Sequence, residues 1–548
     1  MDDRYDALVI GSGIGGLAAA ALLARIRGWR VCVLERHSTA GGFTHTFRRP
    51  GGWEWDVGVH YVGEMAEGTM PRRLMDAVTG GAVAWERLPE LFDRARYPGL
   101  EFAFGGDEER QKASLKALFP AESAGIDAWH GDLRRGARSL VAALMVPDLP
   151  APVRWALRKA GLLPDWSGIE TTEERLARRI GDPRLRGLLA SMWGDYGVPP
   201  GRSAFPLHAL IARHYAHGAW FPRGGGAVLA RGAEAVIAEA GGCILRRHAV
   251  TRILVENGRA AGVEVATRAA GQDRTLVLRA PVVISDAGAP ATFGRLLPPE
   301  LGAEAARRLE PFRAPCSVVS LYLGLTDSPA GVGLGAENHW LFDGFDHDAA
   351  LTGAEWGETV RPAGAFVSVP SLRAGDGRPH TAEIIAVVPA DAFAAWRDRP
   401  WKERGADYDA LKERIADALL ALVERHHPGF SALVAYREVS TPLSVEHFTG
   451  HAGGAVYGLA GTAERYRTLG LLGARTAVPG LLLTGADAYL PGVVGAAFGG
   501  AAAAGAALGR FGVFTVMRWL RAAEVTAVPP VSQTPSAVTP FPKTSGGG

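Results

Sequence analysis

The chain has 548 residues, of which 47% are hydrophobic and 21% charged, and a formal net charge of +2. That length is too great for one simple domain, and the composition is that of an ordinary globular core, so two or three intertwined domains are expected and a disordered body is excluded. The near-neutral charge offers no footprint for nucleic acid. Cys32, Cys243 and Cys316 stand apart among apolar neighbours, with no CxxC and no Cys/His cluster. This spacing predicts buried thiols, with neither a disulfide framework, nor a redox-active disulfide, nor a metal site.

The first strand is expected over Tyr5–Ile10, which leaves no room for the basic and apolar regions of a signal peptide. It runs into Gly11-Ser-Gly13-Ile-Gly15-Gly16, then a helix over Leu17–Ile26, then a strand over Arg30–Leu34 that ends at Glu35. Gly11 permits the tight turn and Gly13 lets backbone approach a pyrophosphate. Gly16 lets helix and strand pack closely, and the helix N-terminus presents free N–H groups and a positive dipole end. Glu35 stands where a carboxylate accepts hydrogen bonds from ribose hydroxyls. A glycine-rich turn that binds nothing would not explain it. Arg36 follows, and Gly41-Gly42 then resembles the continuation found in FAD-binding flavoproteins, where the chain passes along the cofactor toward its flavin end. FAD is therefore the expected cofactor.

The loop Trp53–Glu64 follows this glycine pair and supplies the candidates nearest the flavin and substrate: His60, Tyr61 and Glu64. His60 or Tyr61 would position substrate or donate a proton; the alternative is that they only shape the pocket. A helical, Arg-rich segment occupies about 66–220. Within it, His208, His214 and Tyr215 fall near one helix face, but no carboxylate recurs at ligand spacing and no metal is expected. Arg223-Gly-Gly-Gly reads as a turn into a helix over Ala227–Ala240. Short strands follow around Ile244, Thr251–Val255 and Ala260–Val265, with a hairpin turn at Asn257-Gly258. A buried strand is expected over Ala280–Ser285, and a mixed segment over about 301–455. Pro479-Gly-Leu-Leu-Leu-Thr-Gly485-Ala-Asp487 reads as a last strand, followed by Gly492-Val493-Val494-Gly495 and an Ala/Gly-rich helix.

In flavoproteins of this type the Asp equivalent to Asp487 meets the ribityl–pyrophosphate region, and the next helix directs its dipole at the flavin. The resemblance to this class of flavoprotein also implies that a residue near Val250 touches the adenine through its backbone. The cofactor set is thus Gly11, Gly13, Gly15, Gly16, Glu35, Arg36, Gly41, Gly42, Val250, Gly485, Asp487, Gly492, Val493 and Val494.

Residues 511–524 read as an apolar C-terminal helix, either docked on the body or touching a membrane surface, and 525–548 as a disordered tail. No run of about 18 apolar residues marks a span. The expected location is the cytoplasm, with a peripheral contact on the inner face of the membrane attached as a hypothesis to the C-terminal helix.

Several further stretches carry a family resemblance. Asp56-Val-Gly-Val-His60-Tyr61-Val-Gly63-Glu64, His208–Tyr215, Gly218-Ala-Trp-Phe-Pro-Arg-Gly-Gly225, Val282–Gly288, Trp401–Tyr408 and Gly454-Ala-Val-Tyr-Gly458 resemble retinol saturases. These lie within the superfamily of carotenoid isomerases and phytoene desaturases. The likeness runs from about residue 5 to 510, and the His-Tyr after Asp-x-Gly is closer to the saturase branch. It implies an α/β fold with a glutathione-reductase-like (Rossmann-type) FAD-binding domain assembled from 1–65, 221–300 and 456–510. A mixed α+β substrate domain would comprise 66–220 and 301–455. It also implies an enzyme acting on carbon–carbon double bonds of a long apolar isoprenoid, a retinoid or carotenoid, most simply by saturation. Cis–trans isomerisation, desaturation and a non-catalytic flavin-bearing carrier are the alternatives. The expected partners are a hydrophobic small molecule, an unidentified electron donor and the membrane surface.

Overall fold

A computed structural model describes residues 4–523, apart from 145, 147, 148, 150, 161–165, 270, 271, 376 and 471. The expected tail 525–548 and the last residue of the expected C-terminal helix lie outside the described residues.

The N-terminal motif builds a five-stranded parallel sheet in the order Cys243–Arg246, Val31–Glu35, Ala7–Ile10, Val282–Ser285, Leu481–Leu483. Ala7–Ile10, Val31–Glu35 and Leu481–Leu483 are buried along their whole length, as their nearly unbroken apolar sequence requires of strands covered on both faces. The helix Ile14–Arg27 packs against the helix Gly492–Ala507. A side chain at Gly500 would collide with the Gly15 carbonyl, so the small residues of the second helix are what allow this approach. The hairpin turn at Asn257-Gly258 has positive φ at both residues, 49° and 73°, and joins His248–Glu256 to Arg259–Ala269 in a three-stranded antiparallel sheet.

A second, seven-stranded sheet runs Val434–Ser440, Cys316–Leu325, Thr381–Pro389, Gly364–Ser368, Asn338–Phe342, Leu91–Tyr97, Leu100–Gly105. Its parallel pair Asn338–Phe342 with Leu91–Tyr97 joins chain segments that are remote in sequence. The strand Cys316–Leu325 shows the period of two that sets the function of this sheet. Val319, Leu321 and Leu323 pack with Leu411, Ile415 and Leu419 of the helix Ala406–His426, while Val318, Ser320 and Tyr322 face the central cleft. A small sheet crosses the expected boundaries near 65 and 220: Ala219–Pro222 pairs with Val62–Gly63 and Trp85–Arg87. The C-terminal helix Gly512–Ala522 docks through Val513, Val516 and Leu520.

Two cysteines that are isolated in sequence meet in space. Cys243 lies opposite Cys32 in neighbouring parallel strands, with the Tyr5 hydroxyl 3.7 Å from the Cys243 sulfur. Both are free thiols, and Cys316 is buried with its thiol on the Gly197 carbonyl.

Candidate active site

A single continuous cavity of about 1350 Å³ runs from the glycine turn into the seven-stranded sheet. It exceeds the roughly 300–1,000 Å³ that houses one drug-sized ligand, which suits a dinucleotide and a second molecule.

At the nucleotide end two carboxylates, Glu35 and Asp487, are held by donors of the protein itself. Glu35 accepts from the Ser12 amide (3.0 Å) and hydroxyl (2.6 Å) with one oxygen and from the His37 amide (2.6 Å) with the other. The Ser12 hydroxyl oxygen in turn accepts from Gly41 N–H at 3.1 Å, so Glu35 fixes the second glycine pair through Ser12. Gly41 and Gly42 have φ of 123° and 55°, and a Cβ at Gly42 would stand 3.0 Å from the Gly13 Cα. Asp487 accepts from Ala289 N–H (2.7 Å) and Leu459 N–H (2.6 Å), knitting together the two loops at the far end of the cradle. Gly11, Gly13, Gly15, Arg36, Val250, Gly485, Gly492 and Val493 all line the cleft. Gly16 and Val494 do not. Gly16 serves packing, because a Cβ there would stand 2.5 Å from the Gly11 carbonyl oxygen.

Sequence reasoning passed over Asp286, which follows the strand Val282–Ser285 and lies under the glycine turn, against Gly13, Gly15 and Gly485. Burial, with the charges of Glu35 and Asp487, raises its carboxyl to about 8, while Gly16 and Gly13 N–H groups act against the shift. The helix starting at Ile14 has no side-chain cap. The first-turn N–H groups that Asp286 does not take, and the room left by the glycines, fit a pyrophosphate. FAD, extended along this cradle, would be held by these backbone groups.

Beyond the second glycine pair the walls become aromatic: Tyr61, Trp193, Trp340, Phe342, Phe366 and Tyr457. Tyr61 stacks on Tyr215 with ring centres 4.4 Å apart. Its hydroxyl lies 2.9 Å from Asp195 and 3.1 Å from Asp93. Asn338 donates to Asp93 at 2.9 Å, and the buried Arg373 donates to Asn338 (2.6 Å), to the His60 carbonyl (2.8 Å) and to Ser368 (3.1 Å). His60 lines the cleft, its Nδ1 3.2 Å from the fully buried carboxylate of Glu383. Asp56 is raised to about 8, first by burial and then by the charge of Glu383.

The expected trio is therefore divided. His60 and Tyr61 reach the cleft. Glu64 does not: it is half-buried with φ 58° outside the cleft, and its carbonyl accepts from Thr69 at the start of the helix Met70–Thr79. His208 and His214 also take separate places. The Tyr196 hydroxyl is 3.0 Å from His208 Nδ1, and Gly63 N–H donates to His214 Nε2 at 2.9 Å. Burial lowers both imidazoles to about 4.

Comparison with known proteins places the chain among flavoproteins. A sequence model of the NAD(P)-binding Rossmann-like domain matches residues 9–77, and one of the FAD binding domain matches residues 123–320. The all-trans-retinol 13,14-reductase of Rattus norvegicus is 32% identical over 518 residues, 90% of this chain and 84% of that protein. The chloroplastic prolycopene isomerase of Arabidopsis thaliana is 27% identical over 527 residues, 91% of this chain and 82% of the isomerase. A crystal structure of an oxidoreductase from Methanosarcina mazei shares the fold with a TM-score of 0.59 at 19% identity, covering 94% of this chain and 100% of that one. The protein is an FAD-dependent oxidoreductase built on a Rossmann-type FAD-binding domain. Within that class, the chain belongs to the all-trans-retinol 13,14-reductase family.

Proposed function

We propose that the protein reduces a carbon–carbon double bond of a long apolar isoprenoid, a retinoid or carotenoid, by saturation. The observation that carries this reading is the aromatic chamber, which continues directly from the flavin cradle within one cavity. A polyene has no charged handle, so apolar walls with few polar groups are what would bind it. Bound FAD supplies hydride chemistry. The chain's own residues cradle the cofactor through Gly11, Gly13, Gly15, Glu35, Arg36, Gly41, Gly42, Val250, Gly485, Asp487, Gly492 and Val493. Gly16 acts through packing alone. His60 and Tyr61 face the substrate side. Arg373 fixes both: it holds the His60 carbonyl directly and Tyr61 through Asn338 and Asp93.

The same reading supports entry of substrate from a lipid surface. No described helix is long and apolar enough to cross a membrane. Phe511 and Phe514 are 56% and 50% exposed at the head of the C-terminal helix, with Arg518 and Arg521 exposed further along. This arrangement suits shallow insertion with arginines at headgroup level. The Phe511→Ser/Phe514→Ser double variant should float less with liposomes than the parent chain; equal flotation would remove the membrane contact.

The reaction is tested by incubating the anaerobically reduced holoprotein with all-trans-retinol and a panel of carotenoids, then measuring product mass. A gain of two hydrogens supports saturation, an unchanged mass with altered retention indicates isomerisation, and no product on any polyene overturns the proposal.

A further inference from the structure

The chamber contains an acid that sequence reasoning did not single out. Asp195 ends the short turn Ser191–Asp195 and lines the cleft beside Trp193 and Gly194. Tyr457, which feels the Asp195 charge, joins this turn to the cradle. A side chain at Gly197 would press on the Tyr457 ring, and one at the adjoining Gly458 would collide with the carboxylate of Asp487 in the cradle. One Asp195 oxygen meets the Tyr61 hydroxyl at 2.9 Å, and among the described residues the other has no protein partner.

Tyr61 has a single hydroxyl proton and two carboxyl groups within reach, at 2.9 and 3.1 Å. It can donate to only one, so the other contact is favourable only if that carboxyl carries a proton itself. The groups facing this pair decide which. Asp93 receives the Asn338 amide at 2.9 Å and has the Arg373 guanidinium behind that amide. Asp195 is faced by Tyr61, Tyr215, Tyr457, Tyr196 and the charge of Asp93, and, among the described residues, by no cation. Asp93 is therefore the carboxylate and Asp195 the neutral acid, a carboxyl pair titrating as a unit. Burial first, and the Asp93 charge second, push Asp195 well above the usual carboxylate range, whereas Asp93 rises only to about 6. Tyr61 is the weaker candidate for giving up a proton, since burial and both carboxyls drive its hydroxyl far upward.

We infer that Asp195 is the catalytic acid of the proposed reduction, protonating one alkene carbon while the other receives hydride, and that Tyr61 is a positioning residue between Asp195 and Asp93. This rests on the proposed polyene reduction. In the step the Asp195 hydroxyl turns from the Tyr61 oxygen toward the alkene, its O–H bond breaks and a C–H bond forms. Reduced FAD, held in the cradle, would supply the two electrons as hydride to the other carbon. Asp195 is left as a carboxylate that accepts the Tyr61 hydroxyl proton in a hydrogen bond until water returns a proton.

The test uses the full-length holoprotein and the variants Asp195→Asn, Asp195→Glu, Tyr61→Phe and His60→Gln, each checked for flavin content and thermal stability. Infrared difference spectra at neutral pH should show a carboxylic-acid C=O stretch that disappears in Asp195→Asn and shifts in Tyr61→Phe. Single-turnover reduction of all-trans-retinol should slow by about 10²–10⁴-fold in Asp195→Asn, with retinol binding retained, the range typical of a lost general acid. Wild-type rates should fall as pH rises, Asp195→Asn should lose that dependence, and Asp195→Glu should restore part of the rate. Absence of an Asp195-dependent acid band overturns the inference. So does an Asp195→Asn rate within a few-fold of wild type, with His60→Gln taking the loss and the pH dependence instead. A wild-type protein inert toward every polyene contradicts the proposed reaction, and the acid band then decides the state of Asp195 on its own.

Discussion

The nucleotide cradle and the aromatic chamber occupy one cavity but are built on opposite principles. In the cradle, positions are fixed by backbone: glycines leave room, and both oxygens of Glu35 and of Asp487 are consumed by N–H or O–H donors. In the chamber, side chains form the walls and their polar demands are incompletely met. Asp195 and Asp93 share one tyrosine, and among the described residues the buried Glu383 pairs only with His60, at 3.2 Å. A satisfied carboxylate holds geometry, whereas an undersupplied one holds or moves protons. The two ends should therefore break differently when mutated.

The largest effect is expected in the cradle. A Cβ at Gly15 would stand 2.6 Å from Gly485 Cα and 2.7 Å from its nitrogen, which are backbone atoms with nowhere to turn. Gly15→Val should purify without flavin, as read from visible absorbance per chain. Gly13→Val, which collides with the Asp286 carboxylate, should also lose FAD. Full occupancy in either would contradict the placement.

Next comes Asp487→Ala, which leaves the amides of Ala289 and Leu459 unpaired. Each costs about 1–3 kcal/mol. FAD affinity, followed by flavin fluorescence on dilution, should fall by at least tenfold.

In the chamber, Phe366 packs on Trp340 at 4.7 Å and His60 at 5.3 Å between ring centres. Phe366→Ala should destabilise the protein by about 3–5 kcal/mol. It should also raise KM for a polyene by roughly tenfold, a loss of about 1.4 kcal/mol in binding, with flavin content unchanged. Loss of flavin would show that the two ends are not separable.

The smallest effect concerns acid stability. The His214 imidazole is lowered by burial from 6.5 to about 4 and accepts the Gly63 N–H in its neutral form. The unfolded chain then binds a proton that the folded one refuses, so this contribution is complete above about 6.5 and is lost as pH falls toward 4. His214→Gln, which keeps an acceptor, should flatten the decline of Tm between those values. An unchanged decline would assign it to other groups.

The cradle was legible in sequence because its signals are local: turn glycines at fixed spacing, a strand before, a helix after, and Glu35 at the second strand's end. The chamber was only half legible. His60 and Tyr61 follow the glycine pair along the chain and could be found that way, and Glu64 was included for the same reason, although the chain turns away from the cleft before it. Asp93 and Asn338 become partners only once their strands pair, since they are register neighbours in a parallel ladder. Asp195 reaches Tyr61 across 134 residues. One signal was available: Glu383 is a lone carboxylate in the run Thr381-Ala-Glu-Ile-Ile-Ala-Val-Val-Pro389, which is otherwise apolar and largely buried. A charge in such a strand calls for a partner. The meeting of Cys32 with Cys243 was likewise invisible until the parallel order of their strands was known.

The most direct test of the account is an anaerobic titration of the fully reduced holoprotein with all-trans-retinol, following flavin absorbance and product mass together. Oxidised flavin should return in one-to-one proportion with a product two hydrogens heavier. Flavin that stays reduced while the polyene is recovered unchanged, or only isomerised, would contradict it.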